Sequence, residues 1–461
     1  MGSLLFEQID KAGLIKREKV NQDAISKLTI KDIIDFAQES VDLTNAENLS
    51  PEKQLFAHSA SLSLGGSIWP CMNVECRKRK VEEIAQFASF YSDRVYIHNF
   101  LGDRLLHFDQ ENPPEECELQ FDLLCDLEVL NTLRPLIEAE IIVPITPPYY
   151  CRDCFAKRVL KQSNDQRFES GLEKLRKRYS VETTFSLKFD ENEYVLKMVG
   201  PEDLIEHGMR IRVLRDPSPS LIENTEIRKQ IETGNEVRLS AKIVEDMGFA
   251  ADMAHNIFNN VYFELVTSQC LNTKFVTERV IDIELINSIL GNTDVSRRNQ
   301  IIQKHLTTLV PFLENASASD ILKIRKGEME SLLVFRKALN NAIDEYKRQG
   351  NDFTETDASA IYQDILRPGL AHLDKKVRAA RKSLFKGSTT KILAWTGAIT
   401  FGLYFGFLPK ELAGLAEALG LTQVLAELME NLIARKDIES TIRNEELYFL
   451  WKVQRKVDNK H

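Results

Sequence analysis

The sequence predicts an α+β protein: an N-terminal mixed α/β region with a candidate zinc knuckle, then a large all-α C-terminal region. Three observations predict it. Short β-branched runs bounded by turn residues are confined to residues 61–225. From residue 226 onward apolar residues recur at helical spacing with almost no strand signal. Two close cysteine pairs, Cys71/Cys76 and Cys151/Cys154, lie inside the mixed region, each just before a predicted helix.

The chain has 461 residues. A single core seldom grows past roughly 250–300 residues, so several domains are expected. Four segments follow from the patterning. Residues 1–60 read as helical, with Leu4, Leu5 and Ile9, then Ile30, Ile33, Ile34 and Phe36, on helix faces. Residues 61–220 form the mixed domain. Ser61–Leu64 alternates and ends at Gly65-Gly66, as a strand and turn would. Val81–Phe90 reads as a helix, and Arg94–Ile97 and Ile141–Ile145 as buried strands. Thr183–Phe189 and Tyr194–Val199 flank a polar turn and predict a hairpin; Met209–Leu214 could add a strand. The run Asp216-Pro217-Ser218-Pro219-Ser220 marks the clearest boundary. Residues 221–350 and 351–461 are then two helical domains, the second with an apolar hairpin.

Composition limits the function. Net charge is −9, so the whole surface is not built for nucleic acid, although a local basic face is compatible with it. Met1–Phe6 is followed at once by Glu7, Asp10 and Lys11, so no secretory signal is expected and a cytoplasmic setting follows. Seven cysteines, an odd number in a long chain, read as free thiols or metal ligands rather than a disulfide framework.

The four paired cysteines suit zinc, which takes four soft ligands in a tetrahedron and ties loops together. Four buried thiols packing as small hydrophobes is the competing reading, and a redox CxxC a third. Basic residues follow both pairs: Arg77, Lys78, Arg79 and Lys80 after the first, Arg152, Lys157 and Arg158 after the second. Joined by zinc, they would form an anion- or nucleic-acid-binding face. A solvated helix face pairing with nearby glutamates explains them at least as well.

Ile392–Leu408 carries no charge over seventeen residues and contains Trp395 and a GxxxG at Gly402 and Gly406, behind a lysine- and arginine-rich stretch. Seventeen residues is the lower limit for crossing a bilayer. A buried soluble hairpin is the favoured reading; a hairpin inserted into a membrane or apposed to its inner face is the other.

There is no GxxxxGK[ST], GxGxxG after a strand, HExxH or GxSxG. Asp252 and His255 share a helix face, as in half of a two-metal motif whose second copy is absent, so a surface histidine is expected. These features point to a non-enzymatic binding or regulatory protein with a protein partner or self-association. In its fullest form it is a sensor–effector of a microbial stress or antiviral defence system. The alternative is a metal-dependent nuclease or hydrolase acting on an anionic substrate, with Asp93, Asp103, Glu202 and Asp203 as candidate acids.

Overall fold

The computed structural model describes residues 2–46, 49, 56–68, 71–102, 114–147, 166–190, 193–214, 225–232 and 234–290, and towards the C-terminus 318–329, 331–334, 336, 367, 371 and 448–458. In chain order, α1 (Gly2–Lys11), β1 (Ile15–Lys16), β2 (Lys19–Val20), α2 (Gln22–Ile25) and α3 (Ile30–Thr44) come first. Next are β3 (Ala57–Ala60), α4 (Val74–Tyr91), β4 (Arg94–His98), α5 (Glu116–Glu138) and β5 (Ile142–Ile145). Then follow α6 (Gln166–Glu182), β6 (Thr184–Asp190), β7 (Glu193–Val199), β8 (Met209–Leu214), α7 (Thr225–Glu232) and β9 (Val237–Arg238). The series closes with α8 (Ala241–Asp246), α9 (Phe249–Leu271), β10 (Lys274–Val276), α10 (Val280–Leu290), α11 (Ala318–Gly327) and α12 (Tyr448–Asp458).

The chain divides into two units, one of residues 1–84 and 92–300, the other of 85–91 and 301–461. The first holds two four-stranded sheets. One is parallel, in the order β10-β3-β4-β5. Its strands are short and almost wholly buried, as expected when both faces are covered. Helices α4 and α5 provide the crossovers between β3, β4 and β5, which parallel pairing requires. The other sheet is antiparallel, in the order β8-β7-β6-β9. Its inner face, including Phe185, Leu187, Leu196 and Met198, packs in one core with Leu175 and Tyr179 of α6 and Phe258 and Leu265 of α9. The Tyr179 hydroxyl donates to the Leu204 carbonyl at 2.7 Å, which lets a phenol sit fully buried there.

Local chemistry sets several boundaries. Thr29 and Asp32 form a reciprocal capping box at the start of α3. Asn73 caps α4, its Oδ1 accepting from the amides of Glu75 at 3.0 Å and Cys76 at 3.2 Å. α9 ends at Asn272, whose left-handed backbone (φ 54°) turns the chain directly into β10.

The expected mixed α/β content is present, with two corrections of detail. Ser61–Leu64 is a turn, not a strand: the strand lies just before it at Ala57–Ala60. Residues 225–290 are not all helical, because β9 and β10 complete the two sheets across the Asp216–Ser220 run. Two- and three-residue strands are too short to show a period of two. Described residues on both sides of that run, and of position 60, therefore share one unit. Helix α4 begins at Val74, seven residues before the apolar stretch that signals it.

In the second unit, Arg325 donates to the carbonyls of Ala88 at 3.0 Å and Ser89 at 3.2 Å, and Arg336 to that of Phe90 at 3.3 Å. The Phe90 and Phe449 rings lie 5.7 Å apart. Among the described residues no helix is long and apolar enough to cross a membrane. The Ile392–Leu408 stretch, with Trp395, Gly402 and Gly406, lies outside the described residues.

Candidate functional site at the switch point of the parallel sheet

The parallel sheet starts at β3, steps outward through β4 to β5, and returns on the other side of β3 as β10. The connections leaving the C-terminal ends of β3 and β10 therefore diverge. Open α/β sheets take their ligands at such a switch point.

Two segments frame it: Ser61–Ser67 after β3, and Thr277–Arg279 between β10 and α10. The first is a tight turn whose amides are largely committed. Ser61 donates to Val276 O at 2.8 Å, Gly65 to Ser61 O at 2.8 Å, Gly66 to Ser63 O at 3.1 Å and Ser67 to Leu62 O at 3.0 Å. The Leu64 amide takes the Ser61 hydroxyl at 3.3 Å. A phosphate cradle needs such amides free, so this glycine turn is not one.

Gly66 is required here. Its φ is +88°, and a Cβ would stand 2.5 Å from Val81 Cγ1 and 2.8 Å from Val129 Cγ1. Arg77 pins the same turn from α4: its Nε donates to Gly66 O at 2.8 Å, a terminal nitrogen pairs with Asp126 at 2.6 Å, and the guanidinium lies over the Phe100 ring.

Carboxylates dominate what remains. Glu278 accepts from the hydroxyls of Ser63 at 2.7 Å and Ser61 at 3.3 Å, and pairs with Lys80 at 3.2 Å. Glu264 reaches over from α9, and its Oε1 accepts the Leu62 amide at 2.5 Å. Asp282 accepts the Thr277 hydroxyl at 2.7 Å and lies 3.7 Å from Arg279. Glu264 Oε2 and Asp282 Oδ1 are buried with no hydrogen-bond partner. Burial first, then the Asp282 charge, pushes the Glu264 carboxyl well above the ordinary carboxylate range. Asp282 is also raised by burial, against the pull of Arg279. Burial works against the Lys80 charge, but Glu278, Glu83 and Glu206 together hold its pKa above the usual lysine value.

Beside this network Cys71 Sγ, Cys76 Sγ and a ring nitrogen of His207 all lie within 4.8 Å of one another, a group that could hold a metal ion. Cys71 precedes α4 and Cys76 sits in its first turn. His207 comes from the 3-10 turn Glu206–Gly208 between β7 and β8, and its Nε2 is 3.6 Å from Cys76 Sγ. Its backbone is left-handed (φ 62°), a conformation tolerated in few non-glycine residues. Burial raises the Cys71 thiol, and Cys76 and Glu206 add to the rise; a bound cation would reverse that balance.

Of the expected cysteine set, Cys71 and Cys76 are described, and His207 lies beside them. Cys151 and Cys154 lie outside the described residues, as do Arg152, Lys157, Arg158 and Asp103. In the basic run after the first pair, three of the four residues have acidic partners. Arg77 is buried on Asp126, Lys78 pairs with Glu128 at 2.5 Å and with Glu75 at 3.6 Å, and Lys80 with Glu278; Arg79 is exposed. Asp203 is held by Arg178 at 2.6 Å. Asp93 precedes β4, at the end of the sheet away from the switch point. His255 is an exposed residue whose Nδ1 meets Ala251 O on its own helix.

Glu264, Glu278, Asp282 and His207 were not visible as a site in the sequence. The available signal was a carboxylate inside the apolar run Tyr262–Val266, and an acidic and basic cluster just after a buried strand. Comparison with protein-family models, with curated proteins and with solved structures gives no match.

Proposed function

We propose that the first unit is a zinc-stapled recognition domain of a binding or regulatory protein, with its ligand site where β3 and β10 diverge. The observation carrying this reading is the buried charged network at that point, with two carboxylate oxygens lacking hydrogen-bond partners. Burying such groups is costly, and they persist most often at working sites. Two thiolates and an imidazole favour zinc over harder ions. The excess of carboxylates and the occupied turn amides favour a ligand rich in hydroxyls or carrying positive charge over one anchored by phosphate. Self-association belongs to the same proposal: the edge strand β8 exposes Met209, Ile211 and Val213, an apolar row of the kind that pairs with another chain.

Thermal shift measurements with ribose, adenosine, spermidine and inorganic phosphate test the reading. Stabilisation by one of the first three that disappears in Glu278→Gln is expected. Stabilisation by phosphate alone would overturn it.

A hydrolase is the second reading, favoured by Glu264. A carboxyl whose pKa burial raises well above the ordinary range, with one oxygen lacking a hydrogen-bond partner, is suited to acid catalysis. Turnover of a nucleoside or phosphodiester, lost in Glu264→Gln, would place this reading first. The effector half of a sensor–effector rests on the sequence of Ile392–Leu408. Flotation with anionic vesicles by the full chain, and not by a chain truncated before Ile392, is the expected result; flotation of neither removes that half.

A further inference from the structure

We infer that Glu206 is the fourth ligand of the metal site formed by Cys71, Cys76 and His207, and that this site secures the turn after β3 through Lys80. The inference rests on the zinc-stapled reading above. A structural zinc site is closed by four protein donors in a tetrahedron. Among the described residues the cluster has three. Glu206 adjoins His207 on the same turn, and its Oε1 lies 4.0 Å from His207 Nε2. The Glu206 side chain is only 19% exposed. Its ion pair with Lys80 is long, at 3.9 Å, so little is lost when the carboxylate turns toward an ion.

The ligands come from two places in the chain. Cys71 and Cys76 flank the start of α4, which leads out of the β3 turn; Glu206 and His207 join β7 to β8. A metal here ties the parallel sheet's switch point to the antiparallel sheet. Binding replaces two thiol protons by one divalent cation, and the two protons go to solvent. Glu206 then spends its charge on the ion. Lys80 is left to Glu83 and to Glu278, which accepts from Ser61 and Ser63 in the turn. Metal occupancy therefore tightens the turn that would meet a ligand.

The test uses the full chain purified without chelator, then reconstituted with zinc or cobalt(II). About one metal per chain is expected in wild type and in Cys151→Ser/Cys154→Ser. It is lost in Cys71→Ser, Cys76→Ser and His207→Ala. Glu206→Gln should keep its circular dichroism spectrum and bind zinc at least about tenfold more weakly, with partial recovery in Glu206→Asp. Zinc should also slow hydrogen exchange in Leu62–Ser67 several-fold in wild type and not in Glu206→Gln. Wild-type zinc affinity in Glu206→Gln overturns the inference and leaves the zinc staple standing. A metal-free wild type, or metal lost only from the Cys151→Ser/Cys154→Ser chain, overturns the staple itself. Unchanged exchange on zinc binding overturns the link through Lys80.

Discussion

The two sheets of the first unit solve the same problem in opposite ways. The antiparallel sheet buries one face on α6 and α9 and leaves much of the other open, with Ile211 57% exposed and Leu187 fully buried. The parallel sheet is covered on both faces and has its polar chemistry at one end, where Glu264, Glu278, Asp282, Lys80 and Arg279 gather. A half-open sheet tolerates change on its outer face. A fully covered sheet places its charges where packing, hydrogen bonding and charge balance must all be met together.

Five substitutions sharpen that contrast, the largest expected effect first. Arg77→Ala removes a buried ion-pair partner of Asp126 and the clamp on Gly66, and should cost about 3–5 kcal/mol in chemical denaturation. Retention of wild-type stability would mean that the turn after β3 is held by something else. In the antiparallel sheet Leu187→Ala should cost about 2–5 kcal/mol, whereas Ile211→Ser should stay within roughly 0.5 kcal/mol for a monomeric chain. Similar losses at both positions would show that the outer face is covered. Tyr179→Phe leaves the Leu204 carbonyl without its donor and should cost about 1 kcal/mol.

The fifth change, at Glu264, is distinguished by its sign. Burial raises the folded-state pKa of Glu264, so the folded chain holds that proton to higher pH than the unfolded chain does. The cost is absent below the ordinary carboxylate range and grows as pH rises through it towards the folded pKa. Glu264→Gln should therefore stabilise the protein by roughly 1 kcal/mol near pH 8 and bring no gain near pH 4. Melting curves across that range check it; a loss at both ends would mean that the carboxylate is a favourable partner of Leu62 and Arg279.

The same contrast explains what was legible. Hairpin β6–β7 could be read because neighbouring segments pair through a short turn and polar and apolar residues alternate along Thr184–Asp190 in the sequence. Buried strands β4 and β5 were visible as compact β-branched runs. β3, Ala-His-Ser-Ala, carries no β-branched residue, and β10 has three residues; β3 is a strand because β4 and β10 flank it, and β10 because β3 does. The metal group shows the same division. Cys71 and Cys76 announce themselves by spacing, but His207 joins them from 131 residues beyond Cys76 through a turn that only the folded sheets define. Glu264 looked like one polar residue in an apolar helix until Leu62 was seen to donate to it.

β10 pairs with β3 although His58 and its partner Lys274 are separated by most of the first unit. A ribosome adding roughly 5–20 residues per second leaves β3 without that neighbour for about 10–40 s. Through that interval one edge of the parallel sheet offers bare amides and carbonyls to any other extended chain. Crowded synthesis, slow codons between the two strands, or want of a chaperone would thus reach this protein first as misassembly during birth, well before they touched its finished fold.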